Sequence, residues 1–325
     1  MSLPKQVSLY EVGPREGFQS EDHSISTGDK ISLINALNQT GLKSIEVTSF
    51  VSPKWVPQMA DAETLLASIE RVQGVSYRAA YLNLKGLERA LNNNVTLDGS
   101  LVLSASDTFS KRNMNKSTNE MLNALTQWIE AYQKAEIPVK QMGFMASFGC
   151  NFEGYIHLDH LLSLMSKVMD LAESNGERIQ KVKLADTMGW ANPEQIKQTI
   201  QAIQDKWPEL SIHLHLHDTR GLGLANVYAA LQEGVLEFDT AIAGLGGCPF
   251  AAVKGAPGNI STEDVAFMCE EMGINTGLDV DLLVKCAKMS EQIVGRELPS
   301  HLPRGGVLSD IRPHPWKQAQ GLLMD

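Results

Sequence analysis

Nowhere in this chain do two cysteines stand as a CxxC pair: Cys150, Cys248, Cys269 and Cys286 are widely spaced. That spacing argues against both a zinc ribbon and a disulfide framework. Long apolar runs are also missing. No stretch of ~18 consecutive apolar residues occurs, and the opening Met-Ser-Leu-Pro-Lys-Gln has no apolar h-region. The expectation is a cytoplasmic protein with no membrane partner. Basic charge is scarce, with 28 Lys and Arg against 38 Asp and Glu and a formal net charge of −10. Such a chain offers no broad basic surface to neutralise phosphates, which excludes a general nucleic-acid binder. No Pro/Gly/Ser linker, internal repeat or low-complexity tract divides it.

What is present is alternation. Short apolar or alternating runs recur at Val7–Val12, Ser44–Phe50, Tyr77–Leu82, Leu97–Ser104, Val139–Ala146, Lys181–Asp186, Ser211–His217 and Phe238–Ala243. Amphipathic, helix-length stretches separate them, and Asp61, Ser117-Thr118, Asn192-Pro193 and Thr262 followed by two acids read as helix starts. Strand and helix alternating eight times imply parallel strands, because each helix returns the chain to begin the next strand. A (β/α)8 TIM barrel is the economical closure, and ~250 residues suffice for one. Residues 1–277 are assigned to the barrel. Residues 278–325, with one helical stretch near Val280–Val294 and then a Pro-, Arg- and Gly-containing tail, are assigned to a C-terminal helical extension. That extension could cap the active-site face, cover the outside or form a subunit contact, so a homodimer is an open alternative.

The most informative run is Ser-Ile-His-Leu-His-Leu-His-Asp at 211–218. Side chains on a strand alternate between faces, so His213, His215 and His217 share one side and lie roughly 6–7 Å apart in turn. Two such imidazoles can meet one metal ion. His213, deepest along the strand, reads as a supporting or core residue.

Chemistry in a (β/α)8 barrel collects at the C-terminal ends of the strands. Those ends carry Arg15 and Glu16 after the first strand, Glu46 and Ser49 on the second, Ser104 and Ser106 on the fourth, and Asp186-Thr187 on the sixth. The eighth runs into Ala-Gly-Leu-Gly-Gly-Cys-Pro-Phe before reaching Asn259. Ionisable groups such as Glu46, Asp186 and His213 inside apolar runs are expensive to bury unless paired, so they call for a polar or metal site.

The phrases Val-Gly-Pro-Arg-Glu-Gly-Phe-Gln (12–19), Ile-Glu-Val-Thr-Ser-Phe-Val-Ser-Pro-Lys-Trp-Val-Pro-Gln-Met (45–59), Asn-Leu-Lys-Gly (83–86), Ala-Asp-Thr-Met-Gly (185–189), His-Leu-His-Asp-Thr (215–219) and Ala-Gly-Leu-Gly-Gly-Cys-Pro-Phe (243–250) resemble the 3-hydroxy-3-methylglutaryl-CoA lyase family. The match runs in order from about residue 7 to about residue 275. The resemblance implies a (β/α)8 barrel, a divalent cation such as Mg²⁺ or Mn²⁺, and cleavage of a 3-hydroxyacyl-CoA to acetyl-CoA and a 3-oxo acid. It implies Glu16, His215, His217 and Asn259 as metal ligands, Arg15 as the catalytic arginine and Cys248 as proton donor. It places Glu46 and Asp186 where they support ligation and proton transfer. Asn113 matches an active-site asparagine, and Ser49, Thr187, Lys183 and Lys254 are further substrate-contact candidates. Lys54, Lys85, Lys111 and Arg112, taken as loop residues, are candidates for a basic rim facing CoA.

Three departures stand out. Glu16 replaces the family's usual Asp, Lys183 replaces a small Ser, and the stretch between Cys248 and Asn259 is longer by about two residues and carries Lys254. A buried Lys183 must find a carboxylate or shift its pKa. Plainer roles stay open beside the catalytic ones: Arg15 as a salt-bridge anchor, Asp186-Thr187 as a helix cap, Cys248 as an inert small hydrophobe, and Asn113 as a turn residue. Two other functions stay open as well. One is a Claisen-condensing acyltransferase of the isopropylmalate or homocitrate synthase type, and the other is a barrel that binds metal and acyl-CoA without catalysis.

Overall fold

The computed structural model describes residues 3–21, 25–247, 257–308 and 311. Eight strands occur where alternation predicts them: β1 (Ser8–Glu11), β2 (Ser44–Ser49), β3 (Ser76–Ala80), β4 (Gly99–Ser104), β5 (Val139–Met145), β6 (Lys181–Ala185), β7 (Ser211–His215) and β8 (Glu237–Thr240). They form one parallel sheet in the order β3-β2-β1-β8-β7-β6-β5-β4. This is the circular order of a TIM barrel, with one seam left unpaired. Among the described residues β3 and β4 share no ladder, and Thr96 N–H donating to the Tyr77 carbonyl at 2.7 Å ties the seam.

Helices α1 (Thr27–Leu37), α2 (Ala62–Ser68), α3 (Leu84–Leu91), α4 (Asp107–Met114), α5 (Thr118–Lys134), α6 (Leu158–Ser174), α7 (Pro193–Lys206), α8 (Gly223–Gln232) and α9 (Thr262–Glu271) follow the strands, and α10 (Val280–Val294) and a short α11 (Leu302–Gly305) come after them. Their starts are chemical. Ser117 and Glu120 form a reciprocal capping box, and Asn192 accepts from Gln195 N–H ahead of Pro193. Asp61 stands at the N-cap of α2, but its side chain makes no capping hydrogen bond. Its carboxylate is occupied by Lys30 Nζ at 2.8 Å and Thr27 Oγ1 at 2.7 Å, which tie α1 to the start of α2.

Helix α4 was not anticipated. Only Phe109 and Ser110 are buried along it, so it shows no apolar period, and it starts because Ser106 Oγ accepts from Phe109 N–H at 3.1 Å. Asn113, Lys111 and Arg112 therefore sit on a helix rather than in a loop, as does Lys85 on α3. Strand β7 stops at His215, two residues short of expectation, and His217 instead bridges to Asn259. After β8 the chain tightens into a turn at Ile242–Gly244, where Ala243 adopts φ +58°.

Leu101, Leu103, Val182, Leu184 and Leu214 are fully buried beneath the helices. Burying each such side chain stabilises the fold by roughly 1.5–3 kcal/mol. A slip of one residue in β6 would send Lys181 and Lys183 into that layer, so the core fixes the register and leaves the lysines to the interior. Helix α10 packs against α1 and the Ile242–Gly244 turn. Among the described residues no helix is long and apolar enough to cross a membrane.

Candidate active site

Strand β1 runs into a π-type turn, Gly13–Gly17, that carries Arg15 and Glu16. The buried Glu11 carboxylate ties this turn to the chain that follows the neighbouring strand β8 by accepting from Gly13 N–H (2.7 Å), Ile242 N–H (2.9 Å) and the Thr262 hydroxyl (2.6 Å). A Cβ on Gly13 would stand 2.6 Å from that carboxylate, so only glycine allows the anchor.

The turn brings Glu16 beside the β7 histidines. Glu16 Oε1 lies 3.5 Å from His215 Nε2 and 3.4 Å from His217 Nε2, and the two Nε2 atoms are 3.2 Å apart. Asn259 Nδ2 donates to Glu16 Oε1 at 3.2 Å and to the Leu245 carbonyl at 3.0 Å. Arg15 Nη2 is 3.2 Å from Glu16 Oε2, while its Nε donates to Glu46. Gly246 makes room for Asn259: it sits at φ +104°, and a Cβ there would be 2.4 Å from Asn259 Nδ2.

Charge binds this cluster. Burial pushes the Glu16 carboxyl up, but His215 and Arg15 outweigh it and hold it well below the usual carboxylate range. Burial disfavours charge on His215, yet Glu16 and Asp239 raise that imidazole to about 10. Burial likewise opposes the Arg15 charge, and Glu46 and Glu16 overcome it.

The donor set fits a divalent cation. One ligand atom each from Glu16, His215 and His217 lies within 4.8 Å of the others, and two imidazoles with oxygen donors suit a site that keeps open positions. Among the described residues the buried Asn259 Oδ1 finds no hydrogen-bond partner, a state that costs about 1–3 kcal/mol unless a donor or cation meets it. Asp239 Oδ2 accepts from His215 Nδ1 at 3.0 Å, so the Nε2 lone pair of that ring is presented to the cluster once the shared proton is displaced.

Asp239 is the residue that sequence reasoning missed. Beyond His215 it meets His213 Nε2 at 2.8 Å and Lys183 Nζ at 2.8 and 3.0 Å. Burial alone would raise its pKa, but Lys183 and His213 hold it well below the ordinary range. The available signal was the one that singled out Glu46, an acid inside an apolar strand, here between Phe238 and Thr240. Strand register explains the meeting: Asp239 pairs with His215, and Lys183 pairs with His213. Lys183 has found its carboxylate, and His213 lies deeper, against Asp239, Glu237 and the Tyr10 ring.

Of the other candidates, Ser49 Oγ donates to Gln19 Oε1 at 3.1 Å, and Asn113 Nδ2 reaches Met145 Sδ at 3.7 Å. Asp186 adjoins the cluster: its N–H donates to the His215 carbonyl at 2.8 Å, and the His217 charge favours its ionised form. Its carboxylate accepts from Trp190 N–H at 2.7 Å and Ala191 N–H at 3.1 Å, and burial raises its pKa. Thr187 Oγ1 accepts from Ala146 N–H at 2.9 Å. Cys248 and Lys254 lie outside the described residues.

The family model described as HMGL-like matches residues 6–289. A Bacillus subtilis hydroxymethylglutaryl-CoA lyase, YngG, is 41% identical over 92% of this chain and 97% of its own length. A Pseudomonas aeruginosa 3-hydroxy-3-isohexenylglutaryl-CoA/hydroxymethylglutaryl-CoA lyase is 38% identical over 91% of this chain and 95% of its own. Among solved structures, an HMG-CoA lyase from Acinetobacter baumannii in complex with coenzyme A and 3-methylmalate superposes with a TM-score of 0.84 at 38% identity, covering 97% of this chain and all of that one.

Proposed function

The chain belongs to the HMGL-like family, and from that premise we propose that it is a divalent-metal-dependent lyase. It cleaves 3-hydroxy-3-methylglutaryl-CoA, or a related 3-hydroxyacyl-CoA, to acetyl-CoA and a 3-oxo acid by a retro-Claisen reaction. Acetoacetate is the product from the methyl substrate. The observation that carries this reading is the convergence of Arg15, Glu16, His215, His217 and Asn259 on one cluster.

When bound by Glu16, His215, His217 and Asn259, Mg²⁺ or Mn²⁺ would supply the Lewis acidity that lowers the pKa of the substrate hydroxyl. Arg15 acts at the other end of the breaking bond. Its guanidinium is oriented by Glu46 and Glu16, and its remaining donors stabilise the negative charge that grows on the thioester oxygen. The buried Asp186 carboxylate takes the hydroxyl proton, the electrons of that O–H bond become the new C3 carbonyl, and those of the broken C2–C3 bond pass into the enolate. Cys248 gives that enolate its proton, which yields acetyl-CoA. Asp186 orients the loop beside His217, and Lys183 keeps Asp239 ionised so that it holds His215. Ser49, Asn113, Thr187 and Lys254 contact the acyl-CoA. The barrel, residues 1–277, carries this chemistry in the cytoplasm, with residues 278–325 as its helical extension.

Purified protein assayed with 3-hydroxy-3-methylglutaryl-CoA and Mg²⁺ or Mn²⁺ is expected to release acetyl-CoA, to lose activity on chelation and to regain it on metal return. Turnover only with acetyl-CoA plus a 2-oxo acid would establish a condensing enzyme instead. No turnover in either assay, with acyl-CoA binding that Arg15→Ala and Cys248→Ala leave unchanged, would point to a non-catalytic barrel.

A further inference from the structure

We propose that the space beside β4 is a specificity pocket for a short C3 branch of the substrate that ends in an uncharged oxygen group, a hydroxyl. This assignment rests on the lyase reading. A cavity of about 240 Å³ runs through the barrel interior past Val102 and Met145 to Ser100 and Gln141, and reaches the β3–β4 seam at Thr96. Glu46 and Lys183 also line it, and each is one contact from the reaction cluster. Glu46 holds Arg15, and Lys183 holds Asp239, which holds His215.

Strand register orders the walls by polarity. Val102 pairs with Gly143 toward the catalytic ends of β4 and β5, and Ser100 pairs with Gln141 two residues deeper. Val102 points into the barrel by strand alternation yet is 39% exposed, and Gly143 opposite it adds no side chain, so a carbon stem fits between them. Below that level the walls turn polar. Gln141 Nε2 donates to Ser100 Oγ at a long 3.4 Å, and among the described residues neither the Gln141 side-chain carbonyl nor the Thr96 hydroxyl has a partner. Hydrocarbon laid over these groups would strip their water and return no hydrogen bond, whereas a hydroxyl both donates and accepts.

Charge decides against an anionic branch. Lys183 is spent on Asp239, Glu46 on Arg15, and Arg78 on Asp98 at the cavity floor. The lining charges are therefore matched, and a further carboxylate would enter without a counter-ion of its own. Arg78 also keeps a buried Nε with no partner among the described residues, a polar group in the floor rather than an unpaired charge. The lysine that stands here in place of a small serine thus narrows and polarises the pocket while its own charge stays with Asp239.

The test compares 3-hydroxyglutaryl-CoA thioesters bearing methyl, n-butyl, 3-hydroxypropyl and 2-carboxyethyl at C3, assayed on the full chain with Mg²⁺. Butyl and 3-hydroxypropyl are close to isosteric, so their ratio isolates the polar end of the branch. The 3-hydroxypropyl thioester is expected to exceed methyl in kcat/KM, and to exceed butyl by about tenfold or more. Ser100→Ala and Gln141→Leu should each lower the hydroxypropyl-to-butyl ratio by about fivefold or more. Thermal melts establish that each variant folds, and should neither fold, the wild-type series decides alone. Butyl turned over as well as 3-hydroxypropyl, 2-carboxyethyl as the best member, methyl preferred to every longer branch, or an unchanged ratio in a folded variant overturns the pocket and leaves the lyase reading standing. Turnover of no member overturns the lyase reading and the pocket with it.

Discussion

Asp239 accepts a hydrogen bond from His215 Nδ1 at 3.0 Å, so a carboxylate on one strand sets the ring orientation of a candidate ligand on the next. Asp239→Asn removes the charge that Lys183 and both inner histidines face. Isothermal titration with Mn²⁺ is expected to show affinity about 10–100-fold weaker than wild type. Unchanged affinity would reduce Asp239 to a purely structural role.

Glu16 donates charge as well as an oxygen atom, and two substitutions separate these contributions. Glu16→Gln should weaken Mn²⁺ binding by about 100-fold or more, because a neutral amide replaces the ionised ligand. Glu16→Asp keeps the charge on a shorter arm and should stay within about tenfold of wild type. Equal losses in both would mean that reach, not charge, matters at this position.

Arg15 engages Glu46 through Nε and Glu16 through Nη2, a fork that an ammonium cannot reproduce. Arg15→Lys is expected to lower kcat by about 10²–10³-fold with little change in KM, since the lost interaction is with charge that develops during reaction. Steady-state kinetics check it. A rise in KM alone would place Arg15 in substrate binding instead.

Glu263 accepts from Ala243 N–H through both oxygens, at 3.0 and 3.1 Å, and burial pushes its carboxyl from 4.5 up to about 8. The folded chain holds this proton more tightly than the unfolded chain does. Its contribution is fully present below about pH 4.5 and is lost as pH rises through about 8, by at most on the order of 5 kcal/mol. Urea melts between pH 5 and 9 should therefore show a decline in stability that is shallower in Glu263→Gln. Parallel profiles for the two proteins would contradict it.

The sequence made the barrel and half of the site legible for the same reason, periodicity. Val182 and Leu184 alternate with Lys181 and Lys183, and Leu214 separates His213 from His215, so strands and their inward faces could be read without coordinates. Helix α4 escaped because its eight residues bury almost nothing, and Asp61 stands at the N-cap as read while its carboxylate serves Lys30 and Thr27 rather than the helix.

By itself the sequence determined the order of strands and helices, the histidine strand, and the Arg15-Glu16 pair, because each is a local pattern of side-chain type and spacing. Only the tertiary structure decided that Asp239 organises Lys183, His213 and His215, that Asn259 reaches Glu16 across 243 residues, and that the barrel stays unpaired between β3 and β4. Those relationships depend on interstrand register and ring closure. Such contacts are set by how the whole helix-facing core packs, and no short stretch of chain contains that information.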